Sequence, residues 1–400
     1  MRNLKKMAVL ASALTMALVA AACGSAPSTA TGAADGATCG AVPNQMPADP
    51  DGVLATLPDS TRAAFNLYPE TIRASAWANW KPSHPGPFVI HYNPGRLTTS
   101  FDQEFLATLN ALKGDTEVVV KDANGDPQVQ LQQLRQSIQE KPDLMIVMAQ
   151  APAAVAAVLD EAGKAGIPSI VPLFASSSPY IVGIDGNNPL KGAYLARDLA
   201  KLMNGQGSLM EMLGKPGTQA TDAVYQGADA VFATCPDIQI AGKPVGQYDP
   251  AAAKSQTLQF LSAHPQPIDG GMQVGGMAGA MIQAFEQLGR PVPPIADLGA
   301  TPAALSYWNE HKDTYKGVGL ALPVAGLAET TWNVASGILA GRGLEVNEVL
   351  QQPTMITADN LAQWVKPEWN LNTPQTFAPA PPGVYYPKEY LDTLFANPGN

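Results

Sequence analysis

The polar residues of this chain are not spaced for covalent or metal chemistry. His84, His91, His264 and His311 show no ligand spacing, and the three cysteines, Cys23, Cys39 and Cys235, form no Cys-x-x-Cys pair that would hold zinc or cycle as a dithiol. No Gly-x-Ser-x-Gly elbow, His-Glu-x-x-His, Gly-x-x-x-x-Gly-Lys-Ser/Thr or dinucleotide fingerprint occurs, and "GQGSLM" and "GGMAGA" are isolated glycine clusters. What remains is recognition without reaction. The expectation is a protein that is not an enzyme and carries neither cofactor nor metal.

Composition narrows what could be recognised. The 400 residues are 46% apolar and 14% charged, as in soluble globular proteins, and suit two domains better than one. A net charge of −10 would repel nucleic-acid phosphates and gives no reason to expect anionic lipid as a partner. A small molecule fits these limits.

The N-terminus reads as a targeting segment over residues 1–22. Arg2, Lys5 and Lys6 form a positive start, and "MAVLASALTMALVAAA" is an apolar run too short for a comfortable membrane span. In "LVAAACGS" small residues directly precede Cys23, which resembles the bacterial lipobox, whose cysteine is lipidated and becomes the first residue. "GSAPSTATGAADGAT" then has tether composition, so residues 23–40 are expected to be a lipidated leash. Export would place Cys39 and Cys235 in an oxidising compartment, where they are candidates to pair and clasp an N-terminal extension to the second domain; spacing alone leaves the pairing open.

Residues 41–86 are Pro-rich, lack a period and read as an extension packed over the first domain. From Pro87 strands and helices alternate: "PFVIHY", the helix "TSFDQEFLATLNALKG", "TEVVVKDA", "PQVQLQQLRQSIQEK", "DLMIVMA", "PAAVAAVLDEAGKAG" and "PSIVPLF". The strands are nearly continuous apolar runs joined by short connections, the pattern of buried parallel strands in a doubly wound α/β sheet. At "YIVGIDGNNPLKGAYLARDLAKLM" the alternation restarts, giving two similar halves.

Four fragments in order carry a family resemblance: "DANGDPQVQLQQLRQSIQEKPDLMIV", "AGKAGIPSIV", "GKPGTQATDAVYQG" and "VASGILAGRGL". Over residues 87 to about 345 the chain resembles type I periplasmic binding proteins of ribose- and galactose-binding kind, the extracytoplasmic receptors of ABC importers. The resemblance implies two doubly wound parallel-sheet lobes joined by a three-strand hinge, with crossings expected near Gly183–Asn188, Ala296–Ala300 and Leu320–Gly326. Lobe 1 would comprise 87–185 plus 299–321, lobe 2 186–298 plus 322–355, and residues 356–400 a tail packed on the lobes. It further implies a monomer, anchored outside the cell, that captures a solute and delivers it to a membrane permease; an anchored sensor feeding a receptor or kinase is the alternative. A LacI-type regulator shares the core but needs a basic helix-turn-helix N-terminus, which this chain lacks.

Matched position by position, the expected pocket departs from the sugar-binding pattern. Leu173-Phe174 stands where relatives commonly have Asp and Arg, Asp222 where they have Arg, Val274-Gly275 for Asn-Asp, Gly299 for Asp and Leu322 for Gln. Hydroxyl-rich ligands need those donors, since each unsatisfied buried polar group costs roughly 1–3 kcal/mol. The expectation is a less hydroxylated or partly apolar ligand contacted by Tyr92, Phe174, Tyr225 and Met277, with Asp222 as its charged anchor. The competing reading puts Phe174 and Tyr225 in the cores and has Asn93, Gln150, Asp185 and Asn187 hold a sugar.

Overall fold

The structure, a computed structural model, describes residues 38–374 and 376–397. The expected signal peptide, Cys23 and most of the leash lie outside the described residues.

The N-terminal extension contains one short helix, α1 (Asp59–Arg62). Its Leu54, Leu57, Phe65, Tyr68, Ile72 and Trp77 are buried in the core of the first lobe. That lobe then builds β1 (Val89–Asn93), α2 (Ser100–Leu112), β2 (Glu117–Val120), α3 (Pro127–Glu140), β3 (Leu144–Val147), α4 (Pro152–Lys164), β4 (Ser169–Pro172) and β5 (Ile181–Ile184). The helices begin where side chains can satisfy their free N–H groups: Thr99 and Asp102 form a capping box on α2, and Asp126 caps α3 ahead of Pro127. The runs Leu-Met-Ile-Val of β3 and Ser-Ile-Val-Pro of β4 are buried at every position because helices cover both faces of the sheet.

The second lobe repeats the plan with α5 (Asn188–Leu202), β6 (Gly207–Met212), α6 (Gln219–Phe232), β7 (Ile238–Gly242), α7 (Pro250–Ala263), β8 (Gly270–Val274), α8 (Ala278–Gln287), β9 (Ile295–Leu298), α9 (Pro302–Glu310) and β10 (Val318–Leu320). The chain next returns to the first lobe for α10 (Val324–Leu339), packed on α2 and β4, and β11 (Glu348–Val349), then crosses back for β12 (Met355–Ile356) before a long tail that contains α11 (Lys388–Asp392). Each sheet has six strands, in the orders β11-β5-β4-β3-β1-β2 and β12-β10-β9-β8-β6-β7. All pairings are parallel except β10 with β12.

The crossings therefore lie between β5 and α5, between β10 and α10, and between β11 and β12. The crossing expected at Ala296–Ala300 is not one. Residues 318–320 pair in parallel with 296–298, which keeps 299–321 in the second lobe, while 322–349 belong to the first, the reverse of the expected assignment. The glycine break "DLGAT" interrupts β9 without moving the chain to the other sheet. The true last crossing, residues 350–354, carries no such break.

Both extensions span the lobes. A disulfide joins Cys39 to Cys235 in the second lobe, and Val42 and Leu67 pack against that lobe's core. The tail buries Leu361, Trp364 and Ala378 on the second lobe, then Tyr386, Leu391, Leu394 and Phe395 on the first.

Candidate functional site

In doubly wound sheets the strand order reverses at one point, and the turns there splay apart to leave a crevice at the carboxyl ends of the strands. In the first lobe β1 lies between β2 and β3, and in the second β6 lies between β7 and β8. The turns following these strands face a cleft of about 380 Å³ between the lobes. That is the size of a site for a small organic molecule.

The first lobe lends the cleft Arg96 and the opening turn of α2, with Thr99, Ser100, Phe101 and Glu104, as well as Leu173 at the end of β4. The second lobe lends Ala220, Val224, Pro250, Val274, Leu298 and the pair Gly275-Gly276, a wall whose polar side chain is Tyr248. That hydroxyl is already engaged by Thr218 Oγ1 at 2.8 Å and Thr221 Oγ1 at 2.6 Å. Asn188 and Lys191 at the start of α5, and Leu322 and Val324 at the second crossing, close the hinge side. Polar groups enter the cleft from α2 of the first lobe and the start of α5, and most of the second lobe's remaining lining is apolar.

Its charges are partly spent within the protein. Arg96 Nε lies 3.5 Å from Asp102, and Lys191 Nζ is 2.9 Å from Asp185 Oδ2 while donating to the Asp185 carbonyl at 2.8 Å. Burial moves the Glu104 carboxyl up from its ordinary range, opposed by a hydrogen bond from the Ala325 backbone. Asn188 and Ser100 add an amide and a hydroxyl to the lining.

Backbone strain collects here. Leu173, Asp185 and Tyr248 adopt φ of 57°, 59° and 60°, left-handed values that cost an L-residue on the order of 1–2 kcal/mol each. Leu173 is held by its N–H bond to Ile184 O at 2.7 Å. Tyr248 is held by the two threonines and by Gly214 and Gly275, where a Cβ would come within 2.1 and 2.4 Å of its ring.

Of the residues expected to contact ligand, Leu322 lines the cleft and the others do not. Tyr92 is wholly buried and stacked on Phe105, Phe174 lies in the core behind β4, and Met277 lies in that of the second lobe. Tyr225 is buried with its hydroxyl donating to Met212 O at 2.8 Å. Asp222 is exposed and accepts from Gly217 N at 3.2 Å, tightening the turn before α6. Asn93 is fully buried, and Gln150 lies over Gly95. Asp185 is taken up by Lys191 and by Tyr385, whose hydroxyl donates to it at 2.9 Å. Asn187 caps α5 and donates to Ala64 O and Asn66 O, both at 2.8 Å, so it binds the extension.

Of the substituted positions, Leu173, Val274, Gly275 and Leu322 line the cleft and Gly299 touches Phe377, which lines it as well, whereas Phe174 and Asp222 do not meet it. Reasoning from sequence missed Phe101, Arg96, Glu104, Asn188, Lys191, Tyr248 and Phe377. The first five lie in the turns after β1 and β5 or in the opening turns of α2 and α5, which those turns lead into. No pattern in the aperiodic tail singles out Phe377.

Two six-stranded lobes with a shared cleft at their strand ends define a two-lobed ligand-binding architecture. The model of the periplasmic binding protein domain matches residues 88–340, and the chain belongs to that family. Similar solved structures include an ABC transporter solute-binding protein from Bacillus halodurans C-125 with bound myo-inositol, 21% identical with a TM-score of 0.62 over 70% of this chain and 98% of that one. The periplasmic binding component of the arabinose ABC transporter from Shewanella sp. ANA-3, bound to L-arabinofuranose, is 18% identical with a TM-score of 0.59 over 68% and 93%. The fructose-binding periplasmic domain of a hybrid two-component system is 20% identical with a TM-score of 0.59 over 69% and 92%. At these identities the likeness establishes the fold. No curated protein matches the chain.

Proposed function

We propose that this protein is an extracytoplasmic solute receptor, anchored by a lipid on Cys23, that captures a small ring compound between its lobes and delivers it as a monomer to an ABC importer permease. The ligand is a sugar-like ring with fewer hydroxyls than a hexose, laid with an apolar face on the second lobe. One observation carries this reading: the cleft sets Arg96, Ser100 and Glu104 of the first lobe against Ala220, Val224, Val274 and Leu298 of the second. A fully hydroxylated ring would leave donors unpaired against those apolar residues, whereas a ring with one apolar face satisfies both sides. Ligand binding stabilises the closed form by its greater affinity for it, and a partner then reads closure.

A thermal-shift screen tests the reading with hexoses, pentoses, inositols, 6-deoxyhexoses and hydroxybenzoates. A true ligand at 100 times its dissociation constant adds about 2.7 kcal/mol of stability. The expected result is a shift with ring compounds of reduced hydroxyl content, and no shift with any class would reject the proposal. The likeness to the two-component domain favours a second reading, an anchored sensor with the same cleft. Solute uptake in cells lacking the protein separates the two: import falls only for a permease partner.

A further inference from the structure

The tail lends the cleft two residues that belong to neither lobe of the family core, Thr376 and Phe377. It lies beyond the matched residues 88–340 and runs from the second lobe to the first, and midway Ala378 N donates to Ala300 O at 2.8 Å. This bond sets the Phe377 ring into the cleft, edge-on to Phe101 of the first lobe, with centroids 6.3 Å apart and planes at 87°. On the other side the ring lies on two glycines of the second lobe. A Cβ would come within 2.4 Å of Phe377 Cε1 at Gly299 and within 3.0 Å at Gly276. Both glycines have positive φ, 78° and 77°, so backbone shape and ring seat agree.

Gly275, next in line, carries the Tyr248 ring against the same stretch of backbone, with a Cβ placed 2.4 Å from Tyr248 Cδ1. Adjacent glycines thus support two aromatic rings, one from the second lobe and one from the tail, while Phe101 approaches from the first lobe. Any side chain at position 299 would occupy the volume that Phe377 fills. At this position the aromatic face comes from the tail.

We propose that Phe377 is a ligand-contacting, specificity-determining residue, which the tail inserts as the third member of an aromatic clamp with Phe101 and Tyr248. The clamp selects rings that present an apolar C–H or methyl face over those fully ringed with hydroxyls, because aromatic faces gain from apolar contact and offer no partner to a hydroxyl. This inference rests on the solute-receptor reading above.

The test uses the full chain and titration calorimetry with matched pairs that differ by one hydroxyl: L-rhamnose against L-mannose, and L-fucose against L-galactose. The unsubstituted protein is expected to bind the deoxy member of at least one pair more tightly. Phe377→Ala should weaken that member by about tenfold and narrow the ratio within the pair. Phe377→Leu, which keeps apolar bulk, should retain part of the preference, and Gly299→Ala, which displaces an intact ring, should reproduce the loss. Melting of each ligand-free variant checks that it is folded. A folded Phe377→Ala with unchanged affinities and ratios overturns this inference and leaves the receptor reading standing. Failure of the unsubstituted protein to bind any of these sugars overturns the assigned ligand class and the clamp with it.

Discussion

The carboxyl of Asp297 lies in β9 beneath the cleft turn, and burial pushes its pKa from 3.8 up to about 7, opposed by hydrogen bonds from Gln273 and the Thr301 backbone. Oδ1 accepts from Gln273 Nε2, whereas Oδ2 has no protein partner. The same Gln273 accepts from Met277 N at 2.9 Å and donates to Leu298 O at 3.1 Å, so the pair braces the turn that carries Gly275 and Gly276. Because the folded state holds this proton more tightly than the unfolded chain, the residue's contribution is complete below the unfolded pKa and is lost as pH rises through the folded one. A rise from 3.8 to about 7 is worth about 4 kcal/mol. About 3 kcal/mol of that disappears between pH 5 and pH 8. Glu211, also raised to about 7 mainly by burial, adds a comparable decline that does not depend on residue 297. Asp297→Asn mimics the protonated acid and does not titrate. Urea unfolding followed by tryptophan fluorescence at pH 5 and pH 8 should show the unsubstituted protein losing about 3 kcal/mol more than the variant across that interval. Parallel losses would refute the assignment of a buried, proton-holding carboxyl to this position.

Two further substitutions probe the attachments of the N-terminal extension. Cys39→Ser opens a loop whose ends are 196 residues apart, for which chain entropy gives a loss of about 5 kcal/mol. A lower melting temperature is expected, matched by adding reductant to the unsubstituted protein; an unchanged one would show that the extension stays docked without its covalent link. Asn187→Ala strips two hydrogen bonds to the extension and the cap of α5, with an expected loss of about 2–4 kcal/mol in denaturant titration. A loss below about 1 kcal/mol would mean that water replaces all three bonds.

Chain order made the sheets legible because parallel strands buried on both faces must be apolar throughout, as "DLMIVMA" and "PSIVPLF" are. Lobe membership was less legible. "DLGAT" and "LALPVAG" both interrupt the alternation with glycine, and only the pairing of β10 with β9 shows that the first of them stays within one sheet. In the cleft, sequence marked which strand ends had lost polar groups but not which neighbouring side chain turns inward. Phe174 and Leu173 differ by one residue at the end of β4, and the left-handed backbone of Leu173 sends the leucine to the cleft and Phe174 to the core. Periodicity carries no information about a single left-handed residue. Asp185 and Asn187, beside Gly186, read more readily as turn builders than as ligand contacts, and the partners that occupy them include Tyr385 and the segment at 64–66, far away in sequence.

These long-range partners bear on how the lobes can move. A three-crossing hinge lets two lobes swing with little resistance when nothing else joins them. Here Asp185 at the first crossing is tied to Tyr385, Val349 and Gln351 at the last are tied to Tyr386, and Asn187 holds the N-terminal extension, which is itself bonded through Cys39 to the second lobe. Opening must therefore disturb buried tyrosine and asparagine hydrogen bonds or carry both extensions along, and either course narrows the range of open states. A receptor restricted in this way loses less conformational entropy when a ligand closes it, so fewer contacts suffice for capture. The extensions and the cleft then act together: a site whose charges are partly spent on Asp102 and Asp185 gains affinity from being partly organised beforehand.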